Sequence, residues 1–259
     1  MPSMASAAFD DLSHRPVKRS DARRSRPAQR IRRLLSAVVS LGVLGAMAIA
    51  LLWPLTPSVD DAQQRIAARL GQFDSRDPRA LPMPDPVGQA IIATEDSRFY
   101  GHPGVDVLGV IRAVFGFSQG RDDPGGATLD QQLAKVLYTP EDNSLRAKIE
   151  QVELAFKFEA SYSKTQLLQM YLSCVYFGHG HYGLPAAARG YFGVAPADLT
   201  WAQAALLGGL VQAPSAYDPY THYDLAKRRQ RHVLDRLVAT GVLTPAQADA
   251  AYAAPLGLR

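Results

Sequence analysis

The sequence predicts an all-α protein in which one membrane-spanning helix precedes a single helical domain. Three observations carry this. Apolar residues recur at three- and four-residue spacings from Ser58 onward, as at Leu145, Ile149, Val152 and Phe156, while sustained period-two alternation is nearly absent. Helix-start signatures repeat: Ser163-x-x-Gln166, Thr200-x-x-Gln203 and Thr244-Pro245-x-Gln247 each match a capping box, the last with proline at the first helical position. Finally, Leu34 to Trp53 is a run of twenty uncharged residues. At 1.5 Å per helical residue such a run reaches about 30 Å, the thickness of a bilayer's hydrocarbon.

In chain order, residues 1–33 form a basic tail with nine Lys/Arg against three Asp, net +6. The other 226 residues hold 19 basic and 21 acidic groups, net −2, so the folded part has no cationic field to hold a nucleic acid. The basic block is a topology signal instead. It places the N-terminus in the cytoplasm, residues 34–53 in the membrane and the remainder outside, with Trp53 at the interface and Pro54 as a stop. Residues 54–85 read as a juxtamembrane linker containing a short helix, and 86–258 as one helical domain with stops at Gly178, Gly193 and Gly241. Gly116 to Gly126 is polar and glycine-rich, a loop. The single cysteine, Cys174, excludes an intrachain disulfide, a Cys-rich zinc site and an iron–sulfur cluster, and reads as a core thiol.

Three clusters could do chemistry. Glu95-Asp96-x-x-Phe99-x-x-His102-x-Gly104 follows the apolar run Ala90 to Ala93. A carboxylate at such a helix end sits at a core edge, where desolvation suits it to general-base work, whereas Asp96, turned by about 100°, faces elsewhere. Gly125 to Lys135 is a glycine turn opening an amphipathic helix, so that free backbone amides, Thr128, Gln132 and Lys135 could face one anion. The spacing of a P-loop is absent. On the helix from Leu145, Lys148 and Gln151 share a face beside the stripe Leu145, Ile149, Val152 and Phe156, expected to be buried. Each cluster taken alone fits an ordinary helix end or a solvated face better than a site.

Together they resemble the peptidoglycan glycosyltransferases, membrane-anchored enzymes that polymerise lipid II either as monofunctional proteins or as the N-terminal domain of penicillin-binding proteins. Five stretches match in order from Pro86 to Leu237: ATEDSRFYGHPGVD, GGATLDQQLAKVLY, AKIEQVELAFKFEASYSK, KTQLLQMYLSCVYFGHGHYGLPAAARGYFG, and LTWAQAALLGGLVQAPSAYDP with RRQRHVL after it. The resemblance implies an all-α, lysozyme-like, two-lobed fold and an inverting transfer in which the 4-hydroxyl of lipid II attacks C1 of the growing glycan and undecaprenyl pyrophosphate leaves. It makes Glu95 the base. Thr128, Gln132, Lys135 and Lys148 would hold the donor pyrophosphate, and Asp96, Phe99 and His102 would order the region of Glu95. The implied setting is the bacterial cytoplasmic membrane, with lipid II, nascent glycan and membrane lipid as partners and a separate transpeptidase to supply cross-links. The resemblance leaves room for a divalent cation, Mg or Mn, at the pyrophosphate.

The sequence also departs from the family. The second catalytic Glu falls at Gln151 and the Arg before it at Ala147, while Ala127, Val136, Gln169 and Ser173 stand where the family has Ser, Asn, Glu and Asn. Gln151 donates hydrogen bonds but carries no proton or charge. This keeps a second reading open, a lipid II-binding scaffold with little or no turnover. A lytic glycan hydrolase is a third reading; it has no use for a pyrophosphate clamp of two lysines. Ser161-Tyr162-Ser163-Lys164 spells the S-x-x-K of a transpeptidase without its S-D-N and K-T-G partners, and about 20 residues follow the match, so no transpeptidase is expected. His179 and His181 are two histidines without a third ligand and are expected to be loop residues rather than a metal site.

Overall fold

A computed structural model of the chain describes residues 25–72, 86–109 and 127–259. Among them every regular element is a helix, and an isolated bridge between Tyr176 and Tyr182 is the one strand-like pairing. The chain divides into two units at Leu51/Leu52. The first contains nearly all of α1 (Ser25–Leu52), on which Val39, Val43, Leu44, Met47 and Leu51 are exposed. Among the described residues no helix is long and apolar enough to cross a membrane. The side chains at 34, 35, 38 and 41 are outside that description, so the anchor at 34–53 remains an expectation of the sequence. Residues 1–24 of the basic tail, 73–85 of the linker and the glycine-rich 116–126 also lie outside the described residues.

The second unit holds α2 (Ala62–Gln72), α3 (Pro86–Glu95), α4 (Leu129–Tyr138), α5 (Leu145–Ser161), α6 (Lys164–Cys174), α7 (Leu184–Phe192), α8 (Trp201–Leu210), α9 (Tyr223–Ala239) and α10 (Pro245–Ala253). All three capping boxes form, at the starts of α6, α8 and α10. A fourth, Thr128 with Gln131, starts α4 from the same signature. Each such cap contributes about 1 kcal/mol. Gly193 ends α7 in the left-handed region and Gly241 follows α9 with φ 77°. Gly178 differs from expectation: α6 ends at Cys174 with Val175 extended, and Gly178 serves the turn beyond. There its φ is 92°, and a Cβ would come 2.8 Å from the Tyr191 hydroxyl.

Helix α8, which ends in AALLGGL, is buried on nearly every face and packs against α3 and α9. Its glycine permits this closeness, since a Cβ on Gly208 would lie 2.9 Å from the Ala90 methyl of α3. One core cluster joins Ile91, Phe99, Leu133, Leu154, Phe158 and Tyr171, and a second joins Val233, Leu234 and Leu237 of α9 to Ala90 and Ala93. Helix α3 belongs to both, which fixes its C-terminal residue, Glu95, from two sides.

The expected stripe on α5 is corrected. Leu145 is 74% exposed and Ile149 45%, Val152 and Phe156 are half-buried, and the buried face is Ala147, Leu154, Ala155 and Phe158. The period was right and the phase was not. Lys157 turns its own face inward, because its ammonium donates to the carbonyls of Trp53, Thr56 and Pro57 at 2.9, 2.8 and 2.9 Å. An aliphatic count cannot register a lysine as a core residue.

Candidate active site

Glu95 is the last residue of α3, with its side chain 16% exposed. Arg229 of α9 donates from Nη2 to its Oε1 at 3.1 Å, and Gln132 of α4 approaches its Oε2 through Nε2 at 3.5 Å. Gln132 is itself held, its Oε1 accepting from the Tyr171 hydroxyl of α6 at 2.7 Å. Donors to a carboxylate stabilise its charged form. Arg229 is buried, and a Cβ on Gly209 would lie 2.8 Å from its Cγ, so α8 leaves room for the guanidinium stem.

Asp96, the residue after α3, is buried. Its oxygens accept from His102 Nε2 at 2.9 and 3.0 Å and from the Leu129 amide at 3.0 Å. The other imidazole nitrogen accepts from the Gly104 amide at 3.2 Å, which fixes the proton on Nε2. Phe99 is fully buried, edge-on to His102 with centroids 6.3 Å apart. Asp96, Phe99 and His102 therefore tie the turn after Glu95 to the start of α4.

Thr128 belongs to this brace. Its hydroxyl donates to the Gly104 carbonyl at 2.6 Å and accepts from the Gln131 amide, and the residue is buried. The expectation of free amides at this helix start is likewise corrected: those of Leu129 and Gln131 are taken by Asp96 and Thr128, because a buried N–H without a partner is costly. Lys135, one turn beyond Gln132, and Lys148, on α5, are both exposed. Neither makes an ion pair with a described residue. Gln151 is half-buried and donates to the Thr139 hydroxyl at 2.8 Å, joining α5 to the C-terminal cap of α4. The structure thus gathers Glu95 with Gln132, gathers Asp96, Phe99, His102 and Thr128 beneath them, and sets Lys135, Lys148 and Gln151 on the packed pair α4 and α5.

Sequence reasoning missed Arg229 and Tyr171. The signal for Arg229 was present: Ala226, Val233 and Leu237 mark the apolar face of α9, and position 229 lies on it. A charge on an apolar face needs a partner.

Among the described residues, one group of three or more metal-capable side chains is close enough to share an ion: His102, Asp130 and Glu159. Lys164 already supplies the cation, 3.3 Å from Asp130 and in contact with Glu159. The lysine of the S-x-x-K string is therefore a half-buried partner of Asp130 and Glu159. Among the described residues that trio is the one such group, and it includes neither Lys135 nor Lys148. His179 pairs with Asp218 at 2.9 Å, and burial, with His179 nearby, lowers the pKa of His181. The Cys174 thiol is pushed up to about 12 by burial, which makes it unreactive.

Burial, with Glu159 beside it, raises Asp130 from 3.8 to about 8 against the opposing pull of Lys164. An acid whose folded pKa lies above its unfolded one binds more protons folded than unfolded, so its contribution to stability declines as pH rises between the two values. The melting temperature is expected to fall from about pH 4 to pH 8, and Asp130→Asn to flatten that slope, as scanning calorimetry across this range would measure.

A profile of the family described as Transglycosylase matches residues 63–238. The chain belongs to the transglycosylase family. It is 36% identical over 230 residues to penicillin-binding protein 1A of Neisseria flavescens, covering 83% of this chain and 29% of that protein. It is 36% identical to penicillin-binding protein 1A of Aquifex aeolicus, with 80% and 28% covered, and 39% identical to penicillin-binding protein 1F of Bacillus subtilis, with 71% and 26% covered. The chain thus spans less than a third of the length of these relatives. A 2.6 Å crystal structure of penicillin-binding protein 1A from Haemophilus influenzae aligns over 39% of this chain and 16% of its own, at 30% identity and a TM-score of 0.36.

Proposed function

We propose that this transglycosylase polymerises lipid II into peptidoglycan glycan strands. The carrying observation is Glu95, a carboxylate held between Arg229 and Gln132, while Lys135 and Lys148, on neighbouring helices, have no ion-pair partner among the described residues. Glu95 accepts the proton of the acceptor's 4-hydroxyl as that oxygen bonds to C1 of the donor sugar. The bond from C1 to the pyrophosphate oxygen breaks, and its electron pair leaves with undecaprenyl pyrophosphate. Lys135 and Lys148 offset the charge that develops there, and Gln151 stands beside them as a hydrogen-bond donor. Base and leaving-group clamp come from different helices because an inverting displacement needs them on opposite faces of the sugar.

The chain acts from a single-pass anchor at 34–53, with residues 1–33 in the cytoplasm and the helical domain on the other face of the bacterial cytoplasmic membrane. The uncharged run and the exposed apolar residues of α1 support this. Membrane lipid and nascent glycan are its partners, and a separate transpeptidase cross-links the product.

A second reading rests on Gln151, whose amide is committed to Thr139 where the family has a carboxylate. It makes the chain a lipid II-binding scaffold. Labelled lipid II given to detergent-solubilised full-length protein separates the two. Wild type is expected to yield long glycan, with Gln151→Glu changing the rate by less than about tenfold. A wild type that binds lipid II, stays inert and gains polymerase activity on Gln151→Glu makes the scaffold reading the correct one.

A further inference from the structure

We infer that Tyr171 is a positioning residue for Glu95, acting by anchoring the Gln132 amide through its oxygen. The inference deepens the lipid II polymerase reading and rests on it for the role of Glu95 as base. An amide side chain has a donor end and an acceptor end of nearly equal shape, so its direction is set by its neighbours. Gln132 lies between two of them. At one end is Glu95 Oε2, 3.5 Å from Nε2, and at the other the Tyr171 hydroxyl, 2.7 Å from Oε1. With the amide reversed, its oxygen would face the carboxylate. The acceptor-only carboxylate sets the observed direction, and the Tyr171 hydroxyl anchors it by donating to the oxygen left at the other end. Burial first, and the charge of Glu95 second, raise its pKa well above the ordinary phenol value, so it remains a donor across any working pH. The ring is fully buried, and water does not compete for that hydrogen bond.

Removing the hydroxyl takes away the donor that anchors Gln132 Oε1, and the amide is no longer held against Glu95. Glu95 then keeps Arg229 but loses the second donor to its ionised form. Tyr171→Phe is expected to move the acidic limb of kcat to higher pH and to lower kcat about fivefold, the weight of one neutral hydrogen bond, with KM unchanged because the hydroxyl touches no substrate.

The test measures kcat and KM for lipid II polymerisation across pH in wild type, Tyr171→Phe, Gln132→Leu and the double variant, all solubilised as full-length protein. In parallel, carbon-13 NMR follows the titration of the Glu95 carboxyl in the same four proteins. The expected result is an upward shift of both the limb and the Glu95 midpoint in Tyr171→Phe, and no further shift when Tyr171→Phe is added to Gln132→Leu. An unmoved midpoint overturns the inference, as does a Tyr171→Phe effect that persists in full without Gln132, since packing alone would produce that. If no protein polymerises lipid II while the Glu95 midpoint still rises in Tyr171→Phe, the positioning stands and the polymerase reading falls.

Discussion

Glu95→Gln is expected to lower lipid II polymerisation by about a thousandfold, a loss of roughly 4 kcal/mol of transition-state stabilisation. The substituted amide is nearly the same shape and still accepts from Arg229, so the site keeps its geometry while losing its proton acceptor. What it does not keep is the counter-charge of a buried guanidinium, whose partner lies 3.1 Å away in the wild type. Breaking a buried pair by neutralising one member is destabilising, so the variant is expected to melt lower as well. Arg229→Met added to Glu95→Gln removes the stranded charge and is expected to restore the melting temperature without restoring turnover. Single-turnover rates and calorimetry on the three proteins separate the two roles. Wild-type rates in Glu95→Gln would rule Glu95 out as the base.

Asp96→Ala is expected to produce the largest loss of stability of any single change near the site. Asp96 accepts from the imidazole of His102 and from the backbone amide that opens α4, both buried. Truncation leaves two donors without partners, at about 1–3 kcal/mol each. For a domain of this size, about 2–4 °C of melting temperature accompanies each kcal/mol, so a drop of about 10 °C is expected. Asp96→Asn retains one accepting oxygen and is expected to fall about half as far. Thermal denaturation with lipid II polymerisation measured well below the melting point distinguishes this brace from a direct role in chemistry, because the brace predicts activity that recovers on cooling.

The helical class, the capping boxes at Ser163, Thr200 and Thr244, and the end of α3 at Glu95 were legible in the sequence because each is decided by neighbours within a few residues. The family was legible through five ordered stretches. The phase of α5 was not, since it follows from Lys157 reaching carbonyls about a hundred residues earlier. The role of Thr128 was read toward a ligand, whereas its hydroxyl closes onto Gly104, 24 positions away. Arg229 stands 134 positions from Glu95, and no local pattern announces such a pair even though the apolar phase of α9 marks the position as buried. The glycosyltransferase resemblance named single residues; the arrangement that makes Glu95 a held carboxylate is a property of three helices meeting.

Lys157 has three N–H bonds, and all three end on main-chain oxygens of Trp53, Thr56 and Pro57. A carbonyl oxygen is the same chemical object whatever side chain its residue bears. The grip through these oxygens is therefore blind to spelling, except at Trp53, whose ring also lies 5.3 Å from the ammonium. Lys157 itself has no freedom of spelling, for the backbone that leads out of α1 is recognised by one ammonium, and a heritable change there reaches all three oxygens at once.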